Sequence, residues 1–383
     1  MKITFVTDTY APQPNGVATT MQRLVEGLRD IGHEVDIVRP ASLQCDDVGL
    51  EVASFALPRY PEVRIGLPIR LKLQHRWSKN PPDVIYVATE TPLGASAISA
   101  ARHLGIPCAS GFHTNFQQYM SHYDLPLLER ATISYLRHLH NRSTSTFVPS
   151  MDVIEQLNGQ GFKNLEFLPK GVDTKLFSPK MRDTFLRSEW GASNSSLVGV
   201  FVGRIAAEKN LDLIVKTFTD IQKRIPDFTG VFVGDGPKLN QLRKQHPEFI
   251  YAGVQRGEEL ARYYASSDMF VFPSLTETFG NVTLEAMASG LAVLAFDYAA
   301  AKQHIHDGVN GYTATYGDEE AFLNKAMQLV RDPDRDEVRI EARKSARKVR
   351  WKKVVKHFQK DLVEMIEKNG KSKVAKRKQV KAR

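Results

Sequence analysis

Ser274-Leu-Thr-Glu-Thr-Phe-Gly-Asn-Val-Thr-Leu-Glu-Ala-Met-Ala-Ser-Gly290 reads as a strand end, a glycine turn and the first turns of a helix. The apolar run Met269 to Pro273 leads into it, and the helical pattern Val282 to Ala288 leads out. The backbone N–H groups of Phe279, Gly280 and Asn281 are therefore expected at a helix N-terminus, where unpaired donors and the helix dipole favour an anion. Two acids frame the turn. If the helix starts near Gly280, Glu285 falls about one and a half turns in, while Glu277 sits on the loop at the helix mouth. A carboxylate beside a bound anion is repelled, so both acids read as acceptors for ligand hydroxyls rather than as phosphate contacts. For either acid taken alone there is a plainer alternative, with Glu277 as a helix cap and Glu285 as an ordinary helical acid.

Outward from this stretch the chain repeats strand, loop and helix. Ile3 to Thr7 forms a buried strand, a loop carries Gly16, and a helix from about Val17 to Ile31 presents Met21, Leu24, Val25 and Leu28 on one side before Gly32 stops it. Glu34 to Arg39, Asp83 to Ala88, Ile106 to Gly111 and Thr146 to Pro149 continue the strands. Between them lie helices Pro92 to His103 and Arg130 to His140, with a further helix after Ser150 as its N-cap. A second series runs through Leu197 to Val202, Val231 to Asp235, Phe249 to Val254, Met269 to Pro273 and Ala292 to Phe296. Alternating strands and helices predict an α/β protein with parallel sheets. At 383 residues the chain exceeds one ordinary core, and two domains are expected. Residues 1–178 form the first and residues 197–345 the second. Pro179 and the polar run Gly191 to Ser196 mark residues 179–196 as a linker.

Three further groups carry chemistry. Arg204 and Lys209 stand on one strand-to-helix loop, where a guanidinium and an ammonium can grip a diphosphate from two sides. The competing reading is a surface pair bridged to Glu208 or Asp212. His113 follows a strand at the carboxyl edge of the sheet, where ligands bind in open α/β folds, although most of the eleven histidines are expected to be structural. Gly16 stands where a glycine lets backbone approach a phosphate, and a plain turn is the alternative.

The acids spaced Glu277-x7-Glu285, with Phe279-Gly280 after the first, resemble the signature of retaining glycosyltransferases of family 4, which have the GT-B fold. Gly203-Arg204 followed by Glu208-Lys209-Asn-Leu211 is similar to that family's pyrophosphate-binding segment. Lys170-Gly-Val-Asp173 resembles the short motif that closes its N-terminal domain. His113-Thr-Asn-Phe-x-x-Tyr119 resembles the motif of members that glycosylate glycerolipids, among them sulfolipid, glucuronosyl-diacylglycerol and mannosyl-lipid synthases.

The resemblance extends from Gly16 to Gly311. It implies two Rossmann-like domains with parallel sheets and a cleft between them that holds the site. It also implies that the C-terminal helix, residues 346–370 with its apolar pattern around Ala342 to Glu367, crosses back onto the first domain. The implied reaction moves a sugar from a UDP- or GDP-sugar to a hydroxyl of a membrane glycerolipid or glycolipid, with retention and without a metal or other cofactor. Glu277 would contact the donor sugar and Glu285 the ribose. Arg204, Lys209 and the helix start at Phe279, Gly280 and Asn281 would take the diphosphate, and backbone from Val254 to Gly257 the base. Gly16 would face the donor, and His113 would lie near the transferred sugar or acceptor. The aromatic segment Phe116 to Tyr123 and the helix Arg130 to His140 would line the acceptor entrance. Asn15 stands where many members have a second glycine. Asp297-Tyr-Ala-Ala-Ala301 replaces a loop rich in Gly-Gly, which fits the lipid-directed subgroup. A same-fold transferase for a soluble or polysaccharide acceptor and a sugar-nucleotide epimerase remain the alternatives.

The formal charge is +9, but residues 371–383 hold seven Lys or Arg and no acid, so the remainder carries about +2. This tail is either a solvated extension or an attachment to an anionic membrane. From Arg59 to Lys79 six basic residues face a single acid, Glu62, and are interleaved with Ile65, Leu67, Ile69, Leu71, Leu73 and Trp77. That mixture suits an anionic bilayer surface or a helix packed on its own domain. No nucleic-acid-binding motif accompanies the charge. Cys45 and Cys108 are too few for a disulfide framework or metal site and suit a reducing compartment. No apolar run approaches the ~20 residues that span a bilayer, and Met1 to Asp8 reads as a strand rather than a signal peptide. The expected location is cytoplasmic, on the inner face of the membrane.

Overall fold

The computed structural model describes residues 1–13, 15–41, 49–57, 60–113 and 126–381. They form two compact units, Met1–Lys170 with Trp351–Arg383, and Gly171–Arg350. Cys45, Arg59 and the segment Phe116 to Tyr123 lie outside the described residues.

In the first unit β1 (Lys2–Val6), β2 (Glu34–Pro40) and β3 (Leu50–Val52) pair on one side. A hairpin of β4 (Ser54–Leu57) and β5 (Tyr60–Gly66) follows, antiparallel and separate from the main sheet. β6 (Val84–Val87), β7 (Cys108–Gly111), β8 (Ser145–Val148) and β9 (Leu165–Phe167) complete a parallel sheet of order β3-β2-β1-β6-β7-β8-β9. Helices cover both faces, so the strands are apolar on both sides. Ile3 and Phe5 enter one core cluster and Val6 the other. Helix Trp351–Lys381 packs on the first of these faces, with Phe358 edge-on to Tyr86 and to Phe147, each at 5.1 Å between ring centroids.

The second unit repeats the plan with β10 (Val198–Val202), β11 (Thr229–Val233), β12 (Ile250–Gly253), β13 (Met269–Phe272), β14 (Ala292–Phe296) and β15 (Tyr312–Ala314). Its parallel order is β12-β11-β10-β13-β14-β15. The strand order reverses beside β10, and the strand neighbouring it there, β13, feeds the Ser274–Gly290 stretch. A reversal of this kind opens a ligand crevice at the carboxyl edge.

Two boundaries and one cap differ from the sequence expectation. Residues 179–196, expected as a linker, are built into the second unit: helix Thr184–Glu189 places Leu186 in its core beside Trp190. The buried Arg187 guanidinium donates to the carbonyls of Ser193, Ser196 and Ser266 and to Asp268 at 3.1 Å. The polar serine run is thus an acceptor shell, and the chain changes unit at Lys170–Gly171 instead. Ala342 to Glu367 is two helices, Arg335–Ala346 and Trp351–Lys381, and in the break between them Val349 O accepts from Val172 N at 2.9 Å. Ser150 occupies the N-cap position of helix Met151–Gly159, yet its hydroxyl makes no capping bond.

Candidate active site

Gly280 caps helix Asn281–Ala288 with φ 88° and ψ 65°, a left-handed backbone that glycine adopts without steric cost. The sharp turn brings the loop after β13 back over the helix start. Glu277 on that loop is held on several sides. Lys209 Nζ bonds to its Oε1, Ser274 Oγ donates to the same oxygen at 2.9 Å, and the Tyr298 hydroxyl donates to its backbone carbonyl at 2.7 Å. Lys209 Nζ is also 3.3 Å from Ser274 Oγ, 3.4 Å from Thr276 O, and 5.8 Å from the centroid of the Phe272 ring. Both members of the ion pair are largely enclosed, with side chains 14% and 17% exposed. Such a pair is strengthened by low solvent screening.

Lys209 closes a short turn, Ala207–Lys209, ahead of helix Leu211–Gln222. Arg204 Nη1 lies 3.7 Å from Glu208 Oε1. The buried Glu208 also accepts Leu275 N on its backbone carbonyl at 3.1 Å, which stitches the two loops together. Arg204 is thus paired locally with the buried Glu208, whereas Lys209 reaches across to Glu277. Phe279 is buried and meets His304 edge-on at 5.9 Å. Glu285 faces Tyr264, whose hydroxyl donates to Oε2 at 3.1 Å. Desolvation pushes the Glu285 carboxyl up to about 7, although the Tyr264 bond opposes it. Val254 follows β12 and is half exposed.

Gly16 and His113 belong to the first unit. Gly16 opens helix Gly16–Asp30, and the Asn15 side chain caps it by accepting Ala18 N at 2.8 Å. Where a second glycine would stand, the side chain is engaged as a cap. His113 follows β7, with Nε2 2.7 Å from the Tyr86 hydroxyl. It lines a small cavity with Thr20, Pro149, Lys170 and Trp351. Lys170 is buried, donates to Thr20 Oγ1 at 2.6 Å, and is brought down to about 7 by desolvation. Asp173 accepts from Lys175 N and Leu176 N at 3.0 and 3.1 Å, a turn-forming role. Sequence reasoning did not single out Tyr86, Lys170, Tyr264, Ser274 or Tyr298 as site residues. Local signals were present at Ser274, three residues from Glu277, at Lys170, which opens the Lys170–Asp173 motif, and at Tyr298 in the Asp297–Ala301 segment.

Residues 14–176 match the family described as Glycosyltransferase Family 4, and residues 196–332 match Glycosyl transferases group 1. A GDP-mannose-dependent alpha-mannosyltransferase of Corynebacterium glutamicum is 32% identical over 344 residues, which is 88% of this chain and 82% of that protein. The chain belongs to glycosyltransferase family 4. An alpha-monoglucosyldiacylglycerol synthase of Acholeplasma laidlawii is 27% identical over 86% of this chain and 87% of its own. HepE of Anabaena, solved in complex with UDP, superposes with a TM-score of 0.76 at 19% identity, covering 95% of this chain and all of that one. The glycosyltransferase thus has the GT-B fold, with two Rossmann-like units. Among the described residues, no three or more His, Cys, Asp or Glu converge as a metal site, and no helix is long and apolar enough to cross a membrane.

Proposed function

We propose that this glycosyltransferase moves a hexose from a UDP- or GDP-sugar to a hydroxyl of a membrane glycerolipid or glycolipid, with retention at the anomeric carbon and without a metal. The observation that carries the reading is the Lys209 ammonium held on Glu277 at the mouth of helix Asn281–Ala288. As the bond from the anomeric carbon to the leaving oxygen lengthens, negative charge grows on the diphosphate. Lys209, Arg204 and the helix start at Phe279, Gly280 and Asn281 stabilise that charge, the electrostatic route to a lower barrier. Glu277 orients the sugar hydroxyls, Glu285 accepts from the ribose, backbone at Val254 receives the base, and Gly16 approaches the donor. The acceptor oxygen bonds to the anomeric carbon, and its proton passes to a phosphate oxygen of the leaving group. His113 contacts the transferred sugar or the acceptor.

The lipid acceptor is favoured by the names of the relatives and by one surface. Phe55, Leu67 and Leu71 are exposed, Leu71 to 80%, beside exposed Arg64, Arg70 and Lys72. Apolar groups among cations suit an anionic bilayer, and the basic residues 371–383 would add attraction, which supports the proposed location at the inner face of the membrane. Leu73 and Trp77 of helix Arg70–Lys79 are packed inward and take no part.

The test is a screen of UDP- and GDP-sugars against extracted lipids, soluble sugars, and no acceptor. Label entering the lipid phase with one donor is the expected result. Faster transfer to a soluble sugar would replace the lipid reading, and a donor converted with no acceptor present would indicate epimerisation.

A further inference from the structure

Tyr86 on β6 and Gly111 at the end of β7 set the state of the His113 ring. We infer that Tyr86 fixes His113 in the tautomer that carries its hydrogen on Nδ1, so that His113 serves the transfer as a hydrogen-bond donor and not as a base. The role in transfer rests on the placing of His113 at the reacting groups; the tautomer does not.

The contact is built by strand register. Tyr86 pairs with Ala109 in the parallel ladder, which brings its hydroxyl to 2.7 Å from His113 Nε2, with the two rings edge to face at 6.2 Å. A Cβ at Gly111 would lie 2.2 Å from the Tyr86 hydroxyl oxygen and 2.3 Å from His113 Nε2. Glycine at 111 therefore leaves the space that this hydrogen bond occupies. Tyr86 is fully buried among the rings of Phe5, Phe147 and Phe358, and among the described residues His113 is the partner of its hydroxyl.

A buried phenol O–H requires an acceptor. A neutral imidazole offers one only at its unprotonated nitrogen. Nε2 must then be the acceptor, and the ring hydrogen sits on Nδ1. Burial first, and then the nearby Lys170 and His140, oppose the imidazolium, so the ring stays neutral. His113 Nδ1 is itself buried and has no partner among the described residues, so an oxygen of the sugar or acceptor that reached it would meet an N–H with no competing acceptor among those residues. The lone pair that a base would use is already taken by Tyr86. Tyr86 is accordingly a positioning residue acting through His113.

The experiment is 15N NMR of the full-length protein with labelled histidine, His113 being assigned by substitution, together with steady-state kinetics on the donor found by the screen. The wild-type spectrum is expected to show Nδ1 protonated and Nε2 bare. Tyr86→Phe keeps the ring and deletes the hydroxyl. It should shift the population towards Nε2–H and lower kcat by about ten- to hundredfold, by analogy with loss of the partner that orients a metal-bound histidine, with little change in donor KM. His113→Asn, whose amide can place an N–H near the Nδ1 position, should retain more activity than His113→Gln. A wild-type spectrum with Nε2 protonated overturns the inference, and does so even if Tyr86→Phe does not fold. A folded Tyr86→Phe enzyme with unchanged kcat overturns the positioning role. Wild-type turnover in His113→Ala would instead remove His113 from the transfer site while the spectrum still decides the tautomer.

Discussion

The Lys209 ammonium and the Glu277 carboxylate bind one another across two loops of the second unit, and Ser274 donates to the same carboxylate oxygen. Two consequences of removing the lysine can be separated. Lys209→Ala should lower kcat on the order of 10²- to 10³-fold through loss of charge stabilisation. It also leaves an enclosed carboxylate without its cation, costing about 1–3 kcal/mol. Adding Glu277→Gln should relieve the second effect and not the first. Urea midpoints and kcat for the two single variants and the double variant check this; recovery of turnover along with stability would reduce the pair to a structural bridge.

Glu285 gives a pH dependence of definite sign. Its carboxyl is raised to about 7 from an ordinary 4.5, so between these values the folded protein keeps a proton that the unfolded chain releases. The stability from this group is complete below about 4.5 and is lost as pH rises towards 7, a change on the order of 3 kcal/mol. Glu285→Gln should flatten that slope. Ribose hydroxyls favour the ionised form, so donor affinity should rise about tenfold between pH 6 and 8 as the carboxylate forms. Calorimetric titration of UDP and GDP in that range measures it, and affinity independent of pH would remove the ionised carboxylate from the ribose contact.

Much of this site is legible because it is local. Apolar runs such as Val198–Val202 announce buried parallel strands, and the glycine turn with Glu277 and Glu285 lies within one stretch. Pairings across the chain are not legible. Tyr264 reaches Glu285 from the preceding helix, Tyr298 reaches Glu277 from beyond the next strand, and Tyr86 meets His113 through the register of two strands. Polarity misleads at Ser193 and Ser196, whose carbonyls satisfy a buried arginine. The stretch ending at Lys79 shows the same limit, since composition does not tell that Leu73 turns inward and Leu71 outward.

Ala299 stands in the left-handed region at φ 52°, within the segment where the resemblance leads one to expect Gly-Gly. The conformation costs an ordinary residue about 1–2 kcal/mol, and glycine's extra freedom in the unfolded chain offsets about 0.5–1 kcal/mol of any relief. Ala299→Gly should therefore stabilise the protein by about 0.5–1 kcal/mol, read as a higher urea midpoint. A lower midpoint would mean that the alanine methyl contributes more through packing than its backbone costs.

In the proposed reaction Arg204 and Lys209 supply positive charge of the kind a divalent ion would bring to a departing diphosphate. Transfer assayed after dialysis against EDTA should stay within about twofold of the untreated rate. Loss of activity restored by added Mg²⁺ would assign part of that charge to a metal.

The exposed apolar patch and the basic tail should contribute to membrane binding in distinguishable ways. Burying Leu71, now 80% exposed, contributes about 1.5–3 kcal/mol by area, a term that salt hardly changes. The seven basic residues of 371–383 contribute about 1 kcal/mol each near an anionic surface, and salt screens them. Leu71→Ser should weaken sedimentation with anionic vesicles about tenfold or more at any ionic strength. Deleting 371–383 should weaken it strongly at low salt and little at high salt, with no change in binding of UDP or GDP in either variant. If the two changes combined left sedimentation as it was, neither surface would face the bilayer, and a lipid acceptor would have to reach the enzyme by another route.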